Sequence, residues 1–264
     1  MKLAVGVSYC GLGLEGWQSQ PSGNTVQDYL ERAFSQIGGE PIGLTAAGRT
    51  DAGVHASAQV AHFETGVDRP DSAWVRGVNS LLPAGIAVQW STCVAAEFHA
   101  RYSAISRTYR YVLYNPAVRP GLLAGLTGWF HQPLDLEKTR LAASYLVGEH
   151  DFSSFRSAEC QAKSPVRVMH GVEIRASGAY VIFDFTANAF LHHMVRNIVG
   201  CLVYVGKGKR PPAWIAELID ARDRQRAAPT FAADGLYLLK IRYEERWKLP
   251  EFPDMMPFDQ GQGR

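Results

Sequence analysis

A chain of 264 residues, 47% of them hydrophobic, holds enough apolar surface for one large domain or two of ordinary size, which excludes wholesale disorder. Its formal net charge of +2 is too mild to demand a nucleic-acid partner, so the distribution of the cations matters more than their sum. Four scattered cysteines (Cys10, Cys93, Cys160, Cys201) without a Cys-x-x-Cys pair fit reduced thiols. No apolar run reaches membrane-spanning length, and the opening run before Tyr9 is too short for a processed leader, so a soluble cytoplasmic protein is expected.

Leu3, Val5, Val7 and Tyr9 alternate with small or polar residues and predict a half-buried strand. The next stretch, Gly11-Leu12-Gly13-Leu14-Glu15-Gly16, is a literal G-x-G-x-x-G, yet no helix opens at its glycines. The helix N-terminus that would hold a pyrophosphate is missing, and no nucleotide cofactor is expected. Asn24 with Gln27 resembles a capping box for a helix through Val26, Tyr29, Leu30, Ala33, Phe34 and Ile37, ended by Gly38-Gly39. An apolar segment from Ile42 to Ala47 leads into Gly48-Arg49-Thr50-Asp51-Ala52-Gly53-Val54-His55, followed by a β-rich run, 58–63. A helix from about Asp71 is expected to bury Trp74, Val75, Val78, Leu81 and Leu82 and to stop at Pro83, before a strand over 86–94. This order, β-α-β-β-α-β, is the ferredoxin-like unit.

The linking stretch from Arg101 to Tyr111 alternates cations and aromatics, with Tyr109, Tyr111 and Leu113 on one strand face and Arg110 and Val112 on the other. Helical spacing over 136–147, paired strands over 166–174 and 180–185 turning near Ser177-Gly178, helices over 191–205 and 212–221, and a strand over 236–243 follow. The second half thus repeats the element order with one added helix. The expected organisation is an N-terminal half (1–103), a C-terminal half (104–245) and a flexible or wrapping tail (246–264).

Asp51 lies between glycines that permit a sharp turn or a close backbone approach, and Arg49 is two residues away. A guanidinium beside a carboxylate favours the ionised state that a nucleophile or base needs. The plainer account is a turn-forming Asp in a surface pair. On the helix over 191–205, Leu191, Met194, Val195, Ile198, Cys201, Leu202 and Val205 form one broad face. Arg196 lies nearly opposite, beside His192 and His193, with no Asp or Glu between Ala187 and Ala216. Such an arginine either reaches solvent or finds its carboxylate elsewhere in the chain, and Asp51 is the sharper choice. Neighbouring helix positions point about 100° apart, so His192 and His193 cannot chelate as an i, i+4 pair, and no metal site is expected. The Arg/Tyr segment from Arg101, Lys207-Gly208-Lys209-Arg210, and Arg222, Arg224 and Arg226 are basic clusters of the kind RNA-binding surfaces use, although a core strand, a helix end and a solvated turn would account for each singly.

The stretch from Gly48 to His55 resembles the active-site motif of the tRNA pseudouridine synthase A family. So do Gly16-Trp17-Gln18, Phe98-His99-Ala100-Arg101, Arg107-Thr108-Tyr109-Arg110-Tyr111, Asp151-Phe152-Ser153-Ser154-Phe155, the run from Asn188 to Asn197, Glu217-Leu218 and Gly235-Leu236-Tyr237-Leu238. Cys10 departs from the family, which usually has Asp after the first-strand Tyr. The resemblance implies an α+β fold of two ferredoxin-like halves in one mainly antiparallel sheet, with helices packed on it and an active-site cleft between the halves. It also implies a homodimer and isomerisation of uridine to pseudouridine at positions 38, 39 and 40 of the tRNA anticodon stem-loop, with no metal, redox cofactor or energy donor. By the same resemblance Asp51 corresponds to the catalytic nucleophile and Tyr109 to the tyrosine that stacks on the target base. Arg196 corresponds to the arginine that pairs with the aspartate, and Arg49 is its neighbour with an RNA or structural role. Two other classes share features of the chain. An RNA-binding module of the RRM type has the same element order, but no RNP1-like run is present. A glycosidase-like hydrolase would need a second carboxyl as acid, and none stands in a motif.

Overall fold

Alternation in the first residues builds β1 (Lys2–Tyr9), the middle strand of the first half's sheet. The computed structural model describes residues 1–253, and these form an α+β fold with mostly antiparallel strands. They divide into two compact units, Met1–Ile105 together with the chain from Tyr237, and Ser106–Leu236.

In the first unit, β1 pairs antiparallel with β3 (His55–Glu64) on one side and β4 (Ile86–Cys93) on the other. The short β2 (Thr45–Ala46) adds to β3, which gives the order β4-β1-β3-β2 of a ferredoxin-like unit. Helix α1 (Val26–Gly38) buries Val26, Leu30, Ala33 and Phe34 and ends on Gly39 at φ 74°. Its N-cap is Thr25 rather than Asn24: Thr25 Oγ1 accepts from Asp28 N and donates to Asp28 Oδ2, while the Asn24 amide is drawn off to Gly13 O. Phe34, Phe63 and Trp74 meet at centroid distances of 5.0 to 6.1 Å beneath the sheet. Trp74 sits in a π-helical turn (Ala73–Gly77), and because helical structure ends by residue 79, Leu81 is left exposed.

Both faces of β1 are buried, not one. On the second face Ala4, Val60, Trp90 and Phe98 are covered by Ile241 and Tyr243 of β10 (Leu236–Tyr243) and by Trp247, Leu249 and Phe252 of the tail. A Cβ on Gly6 would lie 2.2 Å from Trp90 and 2.7 Å from Phe252, so only glycine admits this cover. The closing strand, which chain order assigns to the second half, therefore packs with the first: Tyr237 and Leu238 pair in parallel with His55 and Ala56. Of the expected tail, 246–253 wraps this core and the rest lies outside the described residues.

The second unit holds the antiparallel order β5-β9-β8-β7, from β5 (Ala104–Tyr114), β7 (Gly148–Asp151), β8 (Val166–Ser177) and β9 (Tyr180–Ala187), with β6 (Gly128–Trp129) parallel to the end of β5. Its helices are α2 (Leu136–Ser144), α3 (Met194–Gly206) and α4 (Trp214–Ala221). Helix α3 is buried on nearly every side, as its apolar run requires; only Arg196 and Tyr204 are partly exposed. It starts at Met194, not Leu191, because His193 takes the left-handed conformation at φ 61°. His192 and His193 thus belong to the turn entering the helix, with ring centroids 4.0 Å apart, and not to neighbouring helix positions.

Candidate active site

Asp51 stands on the loop between β2 and β3, at the first position of a turn closed by Val54 N donating to Asp51 O at 3.1 Å. Gly53, at φ 78°, supplies the positive φ that the third position of a type II turn needs. Thr50, Val54 and His55 are buried, while Asp51 is half-buried and Ala52 exposed, so the carboxylate sits at the crown of a fixed segment. What fixes it is the glycine loop before α1. Trp17 N donates to Thr50 O at 3.0 Å, Gly53 N to Leu14 O at 3.3 Å, and Gly11 N to His55 Nδ1 at 3.0 Å. The Tyr9 hydroxyl meets Thr50 Oγ1 at 2.8 Å, and the His55 ring stacks on Tyr237 at 4.5 Å. Accepting at Nδ1 leaves the His55 proton on Nε2. Burial pushes the Tyr237 hydroxyl well above its ordinary pKa, so it stays protonated under this loop. A Cβ on Gly16 would lie 2.5 Å from Thr50 O, and one on Gly11 would lie 2.2 Å from Val54 O. The G-x-G-x-x-G stretch does bring backbone unusually close to a partner, but that partner is the Asp51 loop and not a phosphate. Arg49 in the same loop is exposed and makes no ion pair among the described residues.

Tyr109 and Arg196 belong to the second unit. Tyr109 is on β5 opposite Phe185 of β9, almost buried, with its ring set perpendicular to Phe190 at 5.0 Å. Residues 188–193 lead from the end of β9 into α3, and Arg196 lies in the first turn of that helix, with Nε donating to Phe231 O at 2.9 Å. Phe231 N in turn donates to Arg196 O. The following residue, Asn197, is fully buried: its amide donates to Phe155 O, and its Oδ1 accepts from Arg224 Nη2 at 3.0 Å and Thr230 Oγ1 at 2.7 Å. Gly200 lets the Pro229 carbonyl approach α3, where a Cβ would lie 2.4 Å from that oxygen. The start of α3 is thereby locked to the 228–231 segment.

These arrangements have counterparts in known proteins. A family model described as tRNA pseudouridine synthase matches residues 7–103 and 142–244. The chain is 58% identical to tRNA pseudouridine synthase A of Dechloromonas aromatica over 95% of this chain and 96% of that one. It is 58% identical to the enzyme of the same name from Thiobacillus denitrificans over 98% and 99%, and to that of Aromatoleum aromaticum over 95% of each. The chain belongs to the tRNA pseudouridine synthase family. It is therefore an isomerase acting on uridine in tRNA. Arg49, Asp51 and Arg196 fall inside the matched segments of the pseudouridine synthase model, and Tyr109 falls between them. Among solved structures, a chain of a Cbf5-Nop10-Gar1 complex aligns over 76% of this chain and 45% of its own at 11% identity and a TM-score of 0.34, too little to argue from.

For a pseudouridine synthase the arginines deserve sorting, because sequence alone offers all of them to RNA. Arg110 is buried and makes two 2.7 Å contacts with Asp184 on β9, a two-point pair that reads as structural. Arg107, also buried, donates to Asn188 O; Arg224 is bound to Asn197, Ala228 O and Thr230; Arg222 reaches Asp151 at 3.5 Å. Arg110, Arg107 and Arg224 hold the fold, whereas the Arg222 pair is a surface contact. Cys10, the departure from the family pattern, is half-buried and its N–H donates to Gly85 O. Among the described residues no helix is long and apolar enough to cross a membrane.

Proposed function

We propose that this chain converts uridine to pseudouridine at positions 38–40 of the tRNA anticodon stem-loop, with Asp51 as the catalytic carboxylate. The observation that carries the assignment is the half-buried Asp51 on a turn whose backbone is pinned from the glycine loop at Leu14 and Trp17. A carboxylate fixed at this level of detail meets the geometric demand of catalysis, where an ångström of misplacement costs about a hundredfold in rate. In the reaction the N1–C1′ bond breaks, the uracil turns, and a C5–C1′ bond forms. The C5 proton is lost and N1 gains one, so atoms and charge balance without any co-reactant. Three roles are chemically open to the carboxylate: attack on C1′, attack on C6, or removal of a proton at the sugar.

The target base must leave its stack to be reached. Tyr109 stacks on it, its ring orientation held by Phe190. Arg196 pairs with Asp51 and aims it, and the exposed Arg49 contacts the RNA. The protein works as a homodimer in the cytoplasm. Incubation with uridine-labelled tRNA tests the reading: pseudouridine supports it, whereas released uracil or binding alone points to a hydrolase or a binding module. Asp51→Asn keeps the shape but not the anion, so activity disappears while tRNA binding stays within a few-fold. Substantial turnover by that variant, verified free of deamidation, sinks the assignment. Arg196→Lys keeps the charge without the planar two-point geometry and retains part of the activity, and Arg196→Met retains less. Tyr109→Phe binds nearly normally, and Tyr109→Ala loses about 1–3 kcal/mol of base stacking. Sedimentation equilibrium reads the oligomeric state.

A further inference from the structure

One basic cluster has no part in the fold or in the reading above. Helix α3 ends at Gly206, and Lys207, Lys209 and Arg210 follow directly. Each cation lies over an aromatic ring. Lys207 Nζ is 4.7 Å from the Tyr204 centroid and 5.4 Å from that of Phe130; Lys209 Nζ is 4.3 Å from Tyr204, and Arg210 Cζ is 5.3 Å from Trp214. The Tyr204 and Trp214 rings are stacked, 6.3 Å apart at 15°, so the support is one continuous aromatic shelf. Lys209 and Arg210 are exposed, and none of the three cations has an acidic partner among the described residues. The carboxylate on the adjoining segment is Asp135, whose N–H donates to Gly206 O. It is already engaged by Lys138 at 2.8 Å and by the first turn of α2.

The usual reason for lysines at a helix end is to satisfy its last carbonyls and offset its dipole. Here Gly208, at φ 78°, closes the helix itself: Gly208 N donates to Val205 O and Lys209 N to Tyr204 O, the two bonds of a Schellman cap. The cations are therefore not needed as caps. An aromatic face holds an ammonium or guanidinium group in place without cancelling its charge, as a carboxylate would. Three fixed, uncompensated cations within four residues suit a ligand whose negative charges repeat, such as a nucleic-acid backbone.

We propose that Lys207, Lys209 and Arg210 form a docking patch for the phosphate backbone of the tRNA substrate. It positions the RNA and takes no part in the bond exchange, and it rests on the tRNA reading above. The test is the salt dependence of binding of an unmodified tRNA transcript, measured for the wild type and for K207Q/K209Q/R210Q. Each lost phosphate contact lowers the slope of log K against log salt by about 0.7–0.9, so the triple variant loses about two units of slope and about tenfold or more in affinity near physiological salt. The loss appears in KM rather than kcat. Tyr204→Leu keeps every charge but removes the shelf under both lysines, and it weakens binding less while keeping the slope. A folded triple variant with an unchanged slope overturns the proposal. Should the triple variant not fold, K209Q/R210Q alters only exposed side chains and is expected to lose more than one unit of slope; no change there overturns the proposal equally. Failure of the wild type to bind tRNA or form pseudouridine would instead overturn the functional reading.

Discussion

Around Asp51 the chain is fixed by backbone. Thr50 O, Leu14 O and Asp51 O accept from main-chain N–H groups, and glycines at 11 and 16 let two segments lie closer than any Cβ allows. Around Arg196 a backbone bond, from Phe231 N to Arg196 O, is joined by a side-chain lock, with Asn197 at the centre of bonds to Phe155 O, Arg224 and Thr230. Both regions hold one charged group that the proposed chemistry needs, and they are vulnerable to opposite changes. The first is intolerant of added atoms, because displaced backbone carries Asp51 with it. The second is intolerant of lost polar groups, because each leaves a buried partner unsatisfied.

Among changes that leave the proposed site residues in place, the largest effect is expected at Gly16. Gly16→Ala combines a left-handed φ of 89° with a 2.5 Å clash against Thr50 O, so it costs about 2–4 kcal/mol of stability and about a hundredfold in activity. Gly13→Ala is the control: its φ is also positive, at 77°, but nothing lies within 4 Å, and it costs only about 1 kcal/mol with turnover kept. Equal activity losses for the two would break the cradle argument. Next comes Asn197→Ala, which strands Phe155 O, leaves Arg224 Nη2 and Thr230 Oγ1 only each other, and lowers stability by about 1–3 kcal/mol in denaturant titration. If its stability is unchanged, the side-chain lock at α3 is not what holds Arg196.

Away from both regions, His62 sharpens the contrast by pH. Burial, reinforced by His99 and Lys2, pushes its pKa down to about 4, and its Nδ1 accepts from Ala100 N. The folded state thus keeps His62 neutral while the unfolded state takes up a proton below about pH 6.5. The stability from His62 is full above that pH and is lost as pH falls from about 6.5 toward 4. Allowing for solvent screening, it amounts to about 1–2 kcal/mol. His62→Gln should flatten the melting temperature against pH over this window, and an unaltered profile would show that another group is responsible. The smallest effect is expected for Tyr9→Phe, which removes the hydroxyl on Thr50 and costs about 0.5–1.5 kcal/mol with a modest drop in kcat.

Periodicity and motif alone determined much of this protein. The strand β1, the apolar stripe of α1 and the turn at Ser177-Gly178 are legible, because each is set by neighbours a few residues away. Motif resemblance likewise led to the family. The tertiary structure decided what the pattern leaves open. Arg110 reads as an RNA contact until its carboxylate appears 74 residues along the chain. The G-x-G-x-x-G stretch reads as a failed nucleotide loop until Thr50 and Val54 are found against it. Thr25 takes the cap while the Asn24 side chain is spent on Gly13 O through its amide and on the Tyr29 hydroxyl through Oδ1, and β10 joins the first unit because Trp90 and Phe98 need cover. In each case the deciding partner is distant in sequence, and local pattern carries no record of which distant group a side chain will meet.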